Sequence, residues 1–205
     1  MKSKQEQRSD ETKKLILESA ANLFAKKGYD AVTIREIAKD AGCSHTAIYL
    51  YFKDKETLLH QLSLPPLQLL QKELHAISKE DSLSADSKLT KISIEYISFC
   101  LKNRSMYDIF FNAKSSRVDE EPELEINKLR IEIFELLKSV IGENICTSDD
   151  EQLLAFSRIF YYHLNGVLST YSYQHESSEV LMKRLQPTFN LAIEILLLGF
   201  QEKLK

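Results

Sequence analysis

The sequence predicts an all-α protein, and three observations carry that reading. Of its 205 residues 30 are Leu and 17 are Ile, against 5 Val, 5 Gly, 4 Pro and no Trp, a usage that favours long helices over strands joined by tight turns. Apolar residues recur at helical spacing, beginning near Glu11, where Ile16, Ala20, Leu23 and Phe24 fall on one face. Hydroxyl and carboxylate caps open the periodic stretches, and glycines close several of them. About nine helices and no strands are expected, with a three-helix N-terminal domain over residues 1–54 and a larger helical domain over residues 55–205.

The first helix should stop at Gly28. Thr33-Ile34-Arg35-Glu36 has the form of a capping box, in which the threonine hydroxyl accepts from the N3 amide and the glutamate reaches back to the cap amide. Ile34, Ile37, Ala38 and Ala41 make the buried stripe of this second helix, and Gly42 ends it. Ser44 can cap the next helix at once, so a short helix from Ser44 to Tyr51 must cross the second steeply. Asp54 caps a longer, leucine-rich helix. Pro65 and Pro66 should kink or break it, with helix resuming from about Leu67 to Ser78, which makes this point a candidate hinge.

Lys79 to Ser87 is polar and reads as a loop before a helix from roughly Ala85 to Lys102, with Ile92, Tyr96 and Phe99 on one face. A short helix is expected from Ser105 to about Lys114, then a charged loop. Pro122 suits the first turn of a helix reaching Ile141 and ending at Gly142. Ser148-Asp149-Asp150-Glu151 reads as a second capping box opening a helix to about Tyr173. The last helix spans about Ser178 to Lys203, with Pro187 as a point of bending.

Residues 33–51 form a helix-turn-helix: helix, glycine turn, second helix with a hydroxyl cap. Such a pair suits the DNA major groove, where each base pair shows a distinct pattern of donors and acceptors. Ser44, His45, Thr46 and Ala47 are short or hydrogen-bonding and let the second helix approach closely. The hydroxyls of Tyr49 and Tyr51 can reach phosphates, and Lys55 can add a charge contact. The charge balance leans the same way, since residues 1–60 carry +2 and the remainder −5.

The stretch from Glu11 to Leu59 closely resembles the N-terminal DNA-binding region of the TetR family of transcriptional regulators. The matching features are Ala20, Phe24 and Gly28, then Thr33, Ile37, Ala38 and Gly42, then Tyr49, Tyr51, Phe52, Lys55 and Leu58. The resemblance covers about a quarter of the chain. It implies that Thr33 meets the DNA backbone, that Arg35 reaches a base or phosphate, and that His45 and Thr46 face base edges. It also implies that Tyr49, Tyr51 and Lys55 lie along phosphates. Two positions depart from the family pattern: many members have a glycine near Thr46, and Cys43 stands where a small aliphatic residue is common.

For residues 55–205 the resemblance implies a ligand-binding and dimerisation domain, with a homodimer made by pairing the last two helices of each copy. Leu153, Leu154, Phe156, Ile159 and Phe160 on one helix, with Leu191, Ile195, Leu196, Leu198 and Phe200 on the other, offer more apolar surface than one bundle core needs. A ligand cavity is expected among the middle helices. Its candidate lining is Tyr96, Phe99, Met106, Tyr107, Phe110, Phe111, Phe134, Tyr161, Tyr162, His163 and Asn165, with His163 and Asn165 standing out as polar groups on an apolar helix. The function expected is that of a repressor: a homodimer on a palindromic double-stranded DNA operator, released by an unknown small-molecule effector. The alternative is an interaction protein of the same fold without ligand-gated DNA binding.

Other classes find little support. The chain has no G-x-S-x-G elbow, no glycine-rich phosphate loop and no H-E-x-x-H, and its five histidines, His45, His60, His75, His163 and His175, never fall four apart. No enzyme activity, cofactor or metal is expected. Cys43, Cys100 and Cys146 are odd in number and widely spaced, which argues against a disulfide framework and for a reducing compartment. The charged N-terminus lacks the apolar core of a secretory signal, and the longest apolar run, Ile195 to Phe200, is far short of the roughly 18 residues a membrane span needs. A soluble, cytoplasmic protein is expected.

Overall fold

A computed structural model of the chain describes residues 3–104, 125–147, 149–171 and 176–205. Among the described residues there are eight helices and no strand: α1 (Lys4–Lys27), α2 (Ile34–Asp40), α3 (His45–Ile48), α4 (Lys55–Ser78), α5 (Ala85–Lys102), α6 (Glu125–Ile145), α7 (Asp150–Tyr171) and α8 (Ser178–Lys203). The short helix expected from Ser105 to Lys114, and the start at Pro122, lie outside the described residues.

Side-chain chemistry sets most of the helix starts. The Thr33 hydroxyl accepts from the Glu36 amide at 3.2 Å, and the Glu36 carboxylate accepts from the Thr33 amide at 2.9 Å, so the expected capping box is formed. Ser44, Asp54, Ser84 and Ser177 each accept from the third amide of the helix they open. Helix α1 starts seven residues before the expected Glu11, because Ser3 and Glu6 make a second reciprocal box in a polar stretch that precedes the apolar stripe. At α7 the Asp149 Oδ1 accepts from the Glu151 and Gln152 amides at 3.0 and 3.1 Å, while Ser148, the expected cap, lies outside the described residues.

Several expected boundaries move, each for a physical reason. Helix α4 runs unbroken through Pro65 and Pro66, since its leucines Leu58, Leu59, Leu67, Leu70 and Leu74 are all buried and their packing outweighs two missing amide bonds, at about 3 kcal/mol per proline. Pro187 likewise sits inside α8. Gly142 does not end α6, which continues to Ile145 with Ile141 and Ile145 buried. Cys146 takes the left-handed conformation after that helix, with φ 52°. Helix α3 is a single turn, His45–Ile48, with Tyr49 to Tyr51 in turns rather than in the longer helix expected.

The hydrophobic core is continuous. In the head, Ile16, Ala20, Phe24, Ile37, Ala38, Ile48 and Phe52 bring α1, α2 and α3 together, and Leu58 and Leu59 carry the core into α4. In the body, α4, α5 and α6 pack on one another, and α7 and α8 close against α5 and α6. Phe156 and Phe200 stack at 4.5 Å to join α7 to α8. No helix among the described residues is long and apolar enough to cross a membrane.

Candidate functional site

The helix-turn-helix is built so that its polar side chains stay outside. Gly42 has φ 67°, a left-handed conformation that a side chain would strain, and Cys43 then donates its amide to Ala38 O at 3.0 Å. This sharp turn sends Ile48 and Phe52 into the core. Ser44, His45 and Thr46 are left exposed on the next turn. The rings of His45 and Tyr49 meet edge to face at 5.2 Å, which fixes the orientation of both on that surface. Tyr49 is 48% exposed and its neighbour Leu50 is 80% exposed, the latter an apolar member of the surface that the sequence reading passed over. Thr33 and Arg35 are exposed at the start of α2.

Two of the expected phosphate-facing residues are engaged inside the head. The Tyr51 hydroxyl lies 3.3 Å from that of Ser9, which donates to it from α1. The Lys55 ammonium donates to Tyr29 O and Val32 O, each at 2.9 Å, and lies 4.1 Å from the centre of the Tyr29 ring. In this geometry Lys55 ties α4 to the α1–α2 loop rather than facing open surface. The loop is further braced by the Lys27–Glu36 pair at 2.9 Å. Bonded by Lys27 and by Thr33, the Glu36 carboxyl is held down at about 2.

The body contains a second polar group of residues, between α5, α6 and α7. Tyr96 is buried, its hydroxyl hydrogen-bonded to that of Tyr161, and the Phe134 ring meets Tyr161 edge to face at 5.7 Å. Arg130 donates through Nη1 to the buried Asn127 at 2.8 Å. Burial pushes both phenols above the ordinary tyrosine range and lowers Arg130, while the two tyrosines act on Arg130 in the opposite sense. Asn165 donates to Tyr161 O at 3.0 Å.

Of the expected cavity residues, Tyr96, Phe134, Tyr161 and Asn165 are thus brought together, and Phe99 is partly buried on α5. Tyr162 is not with them. At 65% exposed it points outward on the face that carries Ile159. His163 is half-buried on the other flank of α7, its burial lowering its affinity for a proton. Met106, Tyr107, Phe110 and Phe111 lie outside the described residues. Arg130 was missed, although a readable signal existed: a single arginine in the stripe Ile126, Leu129, Ile133, Phe134 and Leu137.

The exposed turn on a three-helix head is a helix-turn-helix, joined to a body that is all-α among the described residues. Residues 16–62 match the model of the bacterial regulatory proteins, tetR family, a likeness that covers the head and the start of α4. The HTH-type transcriptional regulator YuxN of Bacillus subtilis is 51% identical over 49 residues, which are 24% of this chain and 17% of that protein. The fatty acid metabolism regulator protein of the same organism is 25% identical over 130 residues, 63% of this chain and 66% of that one. The chain therefore spans about a sixth of the length of the first curated relatives it matches. Among solved structures, FadR from Bacillus subtilis in complex with stearoyl-CoA superposes with TM-score 0.64 at 21% identity, covering 89% of this chain and 96% of that one. A TetR/AcrR-family regulator from Thermobifida fusca gives 0.62 at 22% identity, covering 87% and 96%. These likenesses establish the all-α fold.

Proposed function

We propose that the chain is a sequence-specific DNA-binding transcriptional regulator, a cytoplasmic homodimeric repressor that leaves a palindromic operator when a small molecule binds. The observation that carries this reading is the exposed turn Ser44-His45-Thr46, held at the tip of a buried three-helix core with Tyr49 braced against His45. Short polar side chains at the start of a protruding helix can approach base edges, and flanking hydroxyls take phosphates. His45 and Thr46 set the base preference, Thr33, Arg35, Ser44 and Tyr49 fix register on the backbone, and Tyr51 and Lys55 brace that surface from within the head.

A homodimer accounts for the face shared by α7 and α8. Ile159 and Tyr162 on α7, with Leu191, Ile195 and Leu198 on α8, are exposed large apolar residues at helical spacing, an arrangement that a symmetric four-helix pairing would bury. Two heads on a two-fold axis match half-sites about 34–36 Å apart.

Residues 1–54 act as the reading head and 55–205 as the responding body. Helix α4 is the lever, because its first residue, Lys55, is bonded to the loop that orients α2. A ligand that binds better when the heads are too far apart for successive grooves shifts the population away from DNA. That a regulator with this fold was crystallised in complex with stearoyl-CoA supports a small-molecule effector here. The test is operator affinity measured with and without each compound shown to bind the dimer. Release of DNA is expected, and unchanged affinity under every bound compound would remove the ligand-gated mechanism.

A further inference from the structure

Resting on the reading of residues 55–205 as an effector-binding body, we propose that the Arg130–Tyr96–Tyr161 cluster binds the carboxylate of an organic acid, making the effector an anion with an apolar body. The cluster lies between α5, α6 and α7, with Tyr96 buried, Tyr161 against Phe134 at 5.7 Å and Arg130 turned to Asn127 at 2.8 Å.

Three features point to this chemistry. A guanidinium within an aromatic layer carries its charge where solvent screens it little, so an anion brought beside it gains far more than at the surface. The planar fork matches a carboxylate through two parallel hydrogen bonds, a geometry an ammonium does not offer. Its orientation is fixed in advance by the Asn127 amide, itself buried, which lowers the ordering cost of binding. The neighbouring phenols stay protonated, since burial raises both; one donates to the other, which leaves the pair one hydroxyl donor for an anion and no competing charge. Phe134 and the tyrosine rings supply apolar walls, suited to an aryl or alkyl body rather than to a small hydrated ion such as phosphate.

The experiment uses the whole 205-residue chain and paired probes: benzoate, 4-phenylbutyrate and the even-numbered alkanoates from octanoate to hexadecanoate, each beside its matching primary alcohol. Binding is read by calorimetric titration and by the shift in melting temperature. At least one carboxylate should bind tenfold or more tightly than its alcohol. Arg130→Met should abolish that preference while leaving alcohol binding in place, and Arg130→Lys should restore part of it. Equal binding of acid and alcohol across the set, or binding of no carboxylate, overturns the proposal, and both are read on the unaltered protein whether or not the variants fold.

Operator binding measured alongside separates the two claims. A carboxylate that binds without changing DNA affinity leaves the anion site standing and removes the effector reading. An uncharged compound that releases DNA while carboxylates fail to bind does the reverse.

Discussion

Lys55 shows how a residue's type leaves its contact open. Its position in the motif pointed to a phosphate, but a charge on a four-carbon stem can swing to either side of a helix start, and here it donates to Tyr29 O and Val32 O. Lys55→Ala should therefore lower stability by about 1–3 kcal/mol in urea unfolding, because two carbonyls lose a charged donor. A lysine that served only DNA would leave the unfolding midpoint where it was. Tyr49 belongs to the other class. Tyr49→Phe should weaken binding to all sequences alike, by about 0.5–1.5 kcal/mol for one lost hydrogen bond, as measured by titration of a fixed duplex. Substitution of His45 or Thr46 should instead alter which base is preferred, read by selection from random duplexes. The outward side chains of Ser44, His45 and Thr46 were legible because a turn set by Gly42 and a cap set by Ser44 leave them nowhere else to point. Arg130 does not stand out in a short window, because only the packing of α6 against α5 and α7 brings it beside Tyr96 and Tyr161.

At the scale of the element, capping chemistry is local and was read correctly at Thr33, Ser44 and Asp54, whereas helix continuation depends on packing that a short window does not contain. Pro65, Pro66 and Gly142 each looked like a terminus, yet the leucines and isoleucines on either side are buried, and the helices run on. Replacing Pro65 and Pro66 together by Ala should consequently raise stability, by about 1–3 kcal/mol after partial relaxation, in the same unfolding assay. The α1–α2 joint carries a pH signature. Glu36 is held at about 2 in the folded state by Lys27 and Thr33, below its unfolded value near 4.3. Its contribution is thus fully present above about pH 4.5 and lost as the pH falls toward 2. The wild-type urea midpoint should drop more steeply over that window than that of Glu36→Gln, and identical slopes would mean that the Lys27–Glu36–Thr33 network does not hold in solution.

For the whole molecule, the head was readable from about 50 residues because caps, a glycine turn and an apolar stripe all agree. The body was readable only as a set of helices, since which face of each one turns inward is settled between distant segments. Tyr162 illustrates the difference: its neighbour Tyr161 joins the buried cluster, while Tyr162 joins Ile159, Leu191, Ile195 and Leu198 on the outer face. Charging that face should dissociate the protein. Ile195→Glu is expected to elute as a monomer at micromolar concentration in size-exclusion chromatography with light scattering, still helical by circular dichroism. The central claim, a dimeric reader of DNA sequence, is tested most directly by in vitro selection of random duplexes with the ligand-free protein at two salt concentrations. A palindrome whose half-site centres lie about 10–10.5 base pairs apart should emerge, with weaker recovery at the higher salt. Recovery of no sequence above background at either salt would contradict it.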